Sequence, residues 1–76
     1  MSGRLPRIRA RELLRALHQD GWFEHHRSGA HVLLRHPSKP GRVTVSIHSG
    51  TIIKLKTLAS ILDQAGLDAD RLRDLL

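Results

Sequence analysis

Seventy-six residues make one domain with no room for a deep, enclosed pocket, because a chain this short buries only about 60% of the surface its unfolded form exposes. The absence of cysteine excludes disulfides, thiol catalysis and cysteine-ligated zinc, and no apolar run or leader pattern marks a membrane span or secretory signal, which fits a cytoplasmic chain. Thirteen Lys and Arg against seven Asp and Glu are unevenly spread: from Arg27 to Lys56 there are six basic residues and no acid, the footprint of a phosphate-backbone binder.

Residues 1–7 read as a loose basic arm containing Gly3 and Pro6. In "IRARELLRALHQDGW", Ala10, Leu13, Leu14 and Leu17 recur at helical spacing and Gly21 supplies a stop. A helix is predicted from Ala10 to Gln19, with Arg11 and Arg15 on its polar face. From Trp22 the period changes. Trp22 to Arg27 reads as a short strand, Ser28-Gly29 as a tight turn and Ala30 to His36 as a second strand. The turn "PSKPG" follows, and then Arg42 to Ile47 alternates, with Val43, Val45 and Ile47 on one face and Arg42, Thr44 and Ser46 on the other. "IIKLKTLASILDQAGL" returns to helical spacing through Leu55, Leu58, Ile61, Leu62 and Ala65, ending at Gly66. Asp68 suits the N-cap of a last short helix carrying Leu72, Leu75 and Leu76. The order α-β-β-β-α, plus that terminal helix, predicts an α+β fold: a three-stranded antiparallel sheet with helices on one face and the other face open.

Four of the six histidines fall within "HHRSGAHVLLRH", residues 25–36. Side-chain alternation sets a register for them. Pairing Leu34 with Val45 and Val32 with Ile47 places His31 opposite His48 and leaves a four-residue tip, "SKPG". The Ser28-Gly29 turn pairs Arg27 with Ala30, so Phe23 meets Leu34 in the core while His26 meets His31 on the open face, where Trp22 would meet Arg35. His26, His31 and His48 would then lie in a row across three strands, with His25 pointing inward and His36 toward the edge or turn. A single β-bulge would scatter this row.

Such a row suits RNA cleavage. Attack of a ribose 2′-hydroxyl on its own phosphodiester needs a base, an acid and positive charge near the phosphoryl oxygens. Histidine fits the first two roles, since its unperturbed pKa of about 6.5 lies near working pH. Arg27, Arg35, Lys39 and Lys54 are candidates for the third. A zinc site on three histidines is the second reading, without an HxH or HExxH spacing or an orienting carboxylate to support it. A merely solvated histidine face is the third. Trp22 reads as a core plug before a stacking platform, and Ser28-Gly29 as a turn before a phosphate cradle. Lys54 and Lys56 stand near a helix N-terminus, where cations oppose the dipole, so both are candidates to face phosphate.

The stretches "ELLRALHQDGW", "RSGAH" at 27–31, "RHP" at 35–37, "GRVTVSIHSG" at 41–50 and "LKTLASILDQAGL" at 55–67 resemble, in order and spacing, the HicA (YcfA-like) toxins, mRNA interferases of bacterial toxin–antitoxin systems. The resemblance runs from about residue 8 to the end, and the chain as a whole reads as a single HicA-like domain, 1–76, with 1–7 as its loose basic arm. It implies a double-stranded-RNA-binding-domain-like fold, metal-independent endoribonuclease activity on mRNA without a cofactor, and a HicB-type antitoxin that masks the site. The family's catalytic histidine falls on His31, and His48 matches a recurrent histidine after the third strand. His26, Arg27, Ser28, Arg35, Lys39 and Lys54 are the expected RNA-binding residues; the alternative is an RNA-binding module without catalysis. The chain departs from the family pattern at Ala30, where serine is usual, at Ser46, where proline is common, and at Leu55-Lys56, in place of a frequent Pro-Gly.

Overall fold

The computed structural model of the protein describes residues 4–47 and 51–76. Its elements follow the expected order: α1 (Ala10–Gln19), β1 (Phe23–Ser28), β2 (His31–Arg35), β3 (Val43–Ser46), α2 (Leu55–Ala65) and α3 (Ala69–Leu75). The strands form one antiparallel sheet in the order β1-β2-β3. This is the arrangement of the double-stranded-RNA-binding-domain-like α+β fold.

Each helix is delimited by local chemistry. At the start of α1, the Glu12 carboxylate accepts the backbone N–H of Arg9 at 2.9 Å, satisfying a donor that would otherwise lack a partner. Asp68 caps α3, accepting from Arg71 N at 2.8 Å. The start of α2 differs: Lys54 offers no capping side chain, and the first turn holds no acid. α2 ends at Gly66.

The core lies between the sheet and the helices. Val32, Leu34, Val43 and Val45 supply its sheet side; Leu13, Ala16, Leu17, Leu58, Ile61, Leu62 and Leu72 supply its helical side. Full burial contributes about 1.5–3 kcal/mol for each Val or Leu side chain. Trp22 is buried among them, as expected of a core plug. The basic arm is held where it is described: Leu5 packs against the core, Ile8 is buried, its carbonyl accepts Ile53 N–H, and Arg73 donates to the carbonyl of Arg4.

The register differs from the expected one by two residues in both hairpins. Leu34 pairs with Val43 and Val32 with Val45, so His31 stands opposite Ser46. Pairing begins only at Val43, because Pro37 and Pro40 have no N–H to continue a ladder and the connection is longer than a four-residue tip. In the first hairpin the turn is Gly29-Ala30, not Ser28-Gly29, so Ser28 pairs with His31 and Arg27 with Val32. Gly29 takes φ +58, a conformation suited to glycine at the first position of a two-residue hairpin turn. β1 also carries a bulge between Glu24 and His26, and upstream of it Phe23 pairs with Arg35. The extra residue, His25, reverses the facing of everything before it. Trp22 therefore enters the core, in keeping with its reading as a core plug, and Phe23 is left 47% exposed; both reverse the facing that the expected register implied.

Candidate functional site

The open face of the sheet is built from alternate residues: Phe23, His26 and Ser28 of β1; His31, Leu33 and Arg35 of β2; Thr44 and Ser46 of β3. His31 lies on the central strand, exposed, between Ser28 and Ser46. His26 shares this face and pairs with Leu33. It is a diagonal neighbour of His31, at a spacing of roughly 7–8 Å for such positions, not its direct partner. His48 lies outside the described residues.

His31, Thr44 and Ser46 line an open groove whose other wall is α2, through Lys56, Thr57, Ser60, Ile61 and Gln64. A second depression, at the start of α2, is lined by Ser46, Thr51, Ile52, Ile53, Lys54 and Thr57. The two share Ser46 and Thr57, so the concave surface continues from His31 to the α2 N-terminus. Its polar lining is hydroxyls, one amide, one imidazole and two ammonium groups, without a carboxylate. Lys54 supplies no side-chain cap to the start of α2, which brings the positive end of the helix dipole to this surface. Such a lining favours an anion with several acceptor oxygens. Thr57, Ser60 and Gln64 were not singled out in sequence; only the helical period of 55–65 placed them on one face of α2.

The remaining expected residues scatter. Arg35 is exposed on the open face, one strand end away from His31. Arg27 projects from the opposite face of β1, where its guanidinium meets Glu24 at 2.7 Å. Lys39 donates to Asp20 Oδ2 at 2.5 Å and to the Ala65 carbonyl at 3.1 Å, tying the β2–β3 connection to the ends of α1 and α2. Lys54 precedes α2 and is exposed.

Two of the histidines are placed by structural bonds. His36 donates from Nε2 to the Asp20 carbonyl at 2.7 Å and accepts at Nδ1 from the N–H groups of Ser38 and Lys39, each at 3.1 Å. Those two donors fix the Nε2–H tautomer. His18 donates from Nδ1 to the Trp22 carbonyl at 2.9 Å. His25, expected to point inward, is exposed at the bulge. Among the described residues, no three His, Asp or Glu side chains come together as a metal-ligand set, and no helix is long and apolar enough to cross a membrane.

A family model described as the HicA toxin of bacterial toxin–antitoxin systems matches residues 10–67, more than half of the chain. No curated protein matches it.

Proposed function

The chain belongs to the HicA toxin family of bacterial toxin–antitoxin systems, and from that premise we propose that it is an endoribonuclease that cleaves mRNA in the cytoplasm, with His31 as its acid–base residue. The observation that carries this reading is the groove joining His31 to Lys56, the lining hydroxyls and the start of α2. Bound there, an RNA phosphodiester meets an imidazole on one side and ammonium and hydroxyl donors on the other.

In the reaction, the 2′-oxygen forms a bond to phosphorus as the bond from phosphorus to the 5′-oxygen breaks. The 2′-proton passes to a base and the 5′-oxygen takes a proton from an acid. His31 fills one of these roles, since imidazole exchanges a proton near neutral pH. His26, on the same face, and His48 are the candidates for the other. Lys56 balances the charge that grows on the non-bridging oxygens, and Thr57 and Ser60 offer hydrogen bonds to them. Lys54, Ser28 and Arg35 extend the contact to neighbouring phosphates. Every proton and charge is handled by the chain's own groups, so the mechanism requires no metal.

Family membership implies an antitoxin partner. We assign to it a HicB-type protein that covers His31 with an acidic surface, complementary to the carboxylate-free groove.

The test is cleavage of single-stranded RNA by wild type and His31→Ala, each with and without EDTA. Cleavage that survives EDTA and is lost in the variant supports the reading. Cleavage abolished by EDTA contradicts its metal-free chemistry. Salt-dependent RNA binding without cleavage by either protein would leave an RNA-binding module, with Ala30 beside His31 the first residue to restore to serine.

A further inference from the structure

Phe23 is an apolar residue that the core does not use. It is 47% exposed, in a chain with one Phe and one Trp; among the described residues the other large hydrophobics left open, Leu55 and Leu76, sit at helix ends. Phe23 lies on the open face with His31, directly across from Arg35, with Leu33 and His26 the next pair along the ladder. The nearby acid, Glu24, projects from the other face and meets Arg27. The ring is thus an exposed aromatic surface beside the Arg35 guanidinium.

We propose that Phe23 is a stacking platform for an unpaired nucleobase of the RNA held in the His31 groove. The inference rests on the reading of that groove as an RNA site. An exposed aromatic face stacks on any base, while an adjoining guanidinium holds the phosphate beside it. A base within a duplex has both faces covered by its neighbours and cannot offer one. Four residues of β2 separate Arg35 from His31, about 13 Å of strand, so the stacked base lies a few nucleotides from the reacting phosphate. RNA is favoured over a protein partner because Phe23 shares its face with His31, and the described residues of that face include a guanidinium and no carboxylate.

The experiment uses full-length His31→Ala protein, so that RNA is not consumed, and measures Kd for a short mixed-sequence single strand and for a duplex of equal length. Phe23→Ala and Phe23→Leu are each expected to weaken single-strand binding roughly ten-fold, and Phe23→Trp to retain it. Duplex affinity should not change. Nor should the slope of affinity against salt, because no charge is removed. Phe23→Leu binding as tightly as the parent would overturn the proposal, since leucine keeps the apolar volume without the ring. So would unchanged RNA affinity accompanied by lost affinity for the antitoxin, which would make Phe23 a protein contact. Either result leaves the cleavage reading standing. A His31→Ala parent that binds no RNA removes both.

Discussion

Trp22 and His36 meet edge to face, with ring centroids 5.2 Å apart and planes at 67°. This contact accounts for one histidine of the cluster in residues 25–36. His36 packs on the core tryptophan and closes the β2–β3 connection onto the end of α1 through Asp20, Ser38 and Lys39. His36→Ala removes the ring and leaves those partners unsatisfied, so it should lower unfolding free energy by about 1–3 kcal/mol. Urea denaturation measures the loss. RNA cleavage per folded molecule should stay at the wild-type level, as His36 does not line the groove.

Gly21 is set against the same imidazole. Its φ is +106, and a Cβ added there would fall 2.7 Å from His36 Nε2. Gly29 also has positive φ, but a Cβ there meets nothing within 4 Å. Both alanine substitutions incur backbone strain of about 1 kcal/mol or more. Gly21→Ala adds a clash with a ring already bonded on both nitrogens. Gly21→Ala should therefore destabilise the fold more than Gly29→Ala, as read from paired thermal melts.

Lys39 and Arg35 should separate stability from RNA binding. The Lys39 ammonium is engaged by Asp20, whose side chain is 9% exposed. Lys39→Ala should cost about 1.5–3 kcal/mol of stability, the range for hydrogen bonds to charged groups. It should leave the salt dependence of RNA affinity unchanged. Arg35→Ala should do the opposite: stability near wild type, and a salt slope shallower by about 0.7, the loss of one phosphate contact on a single strand. Titrations at several salt concentrations distinguish the two.

Lys56 should matter to the chemical step. It lines the groove with His31 and stands in the first turn of α2. Lys56→Ala should lower kcat/KM by roughly 10- to 100-fold, a loss of transition-state stabilisation. Lys54→Ala, in the adjoining depression, should act mainly through binding and raise KM.

The helices were the most legible part of the sequence. Apolar period and end residues gave α1 from Ala10 to Gln19, the end of α2 at Gly66 and the Asp68 cap, because those signals are local. Strand pairing is not local. The turn moved by one residue from Ser28-Gly29 to Gly29-Ala30, and the second hairpin closed two residues further from its tip. A two-residue slip keeps each side chain on its face, which is why His31 remains on the open face while its partner changes from His48 to Ser46. The bulge at His25 had no sequence signature, and it alone exchanged Trp22 and Phe23. The α2 wall of the groove depends on how that helix packs beside β3, which no spacing encodes.

The most direct measurement is the cleavage rate of one RNA of defined sequence by wild type and His31→Ala, beside the same RNA carrying 2′-deoxyribose at the cut position. Wild type should cut the ribose form, leave a 2′,3′-cyclic phosphate and spare the deoxy form. His31→Ala should be folded, bind the RNA and cut neither. Cleavage of the deoxy substrate, or an undiminished rate in folded His31→Ala, would contradict the account.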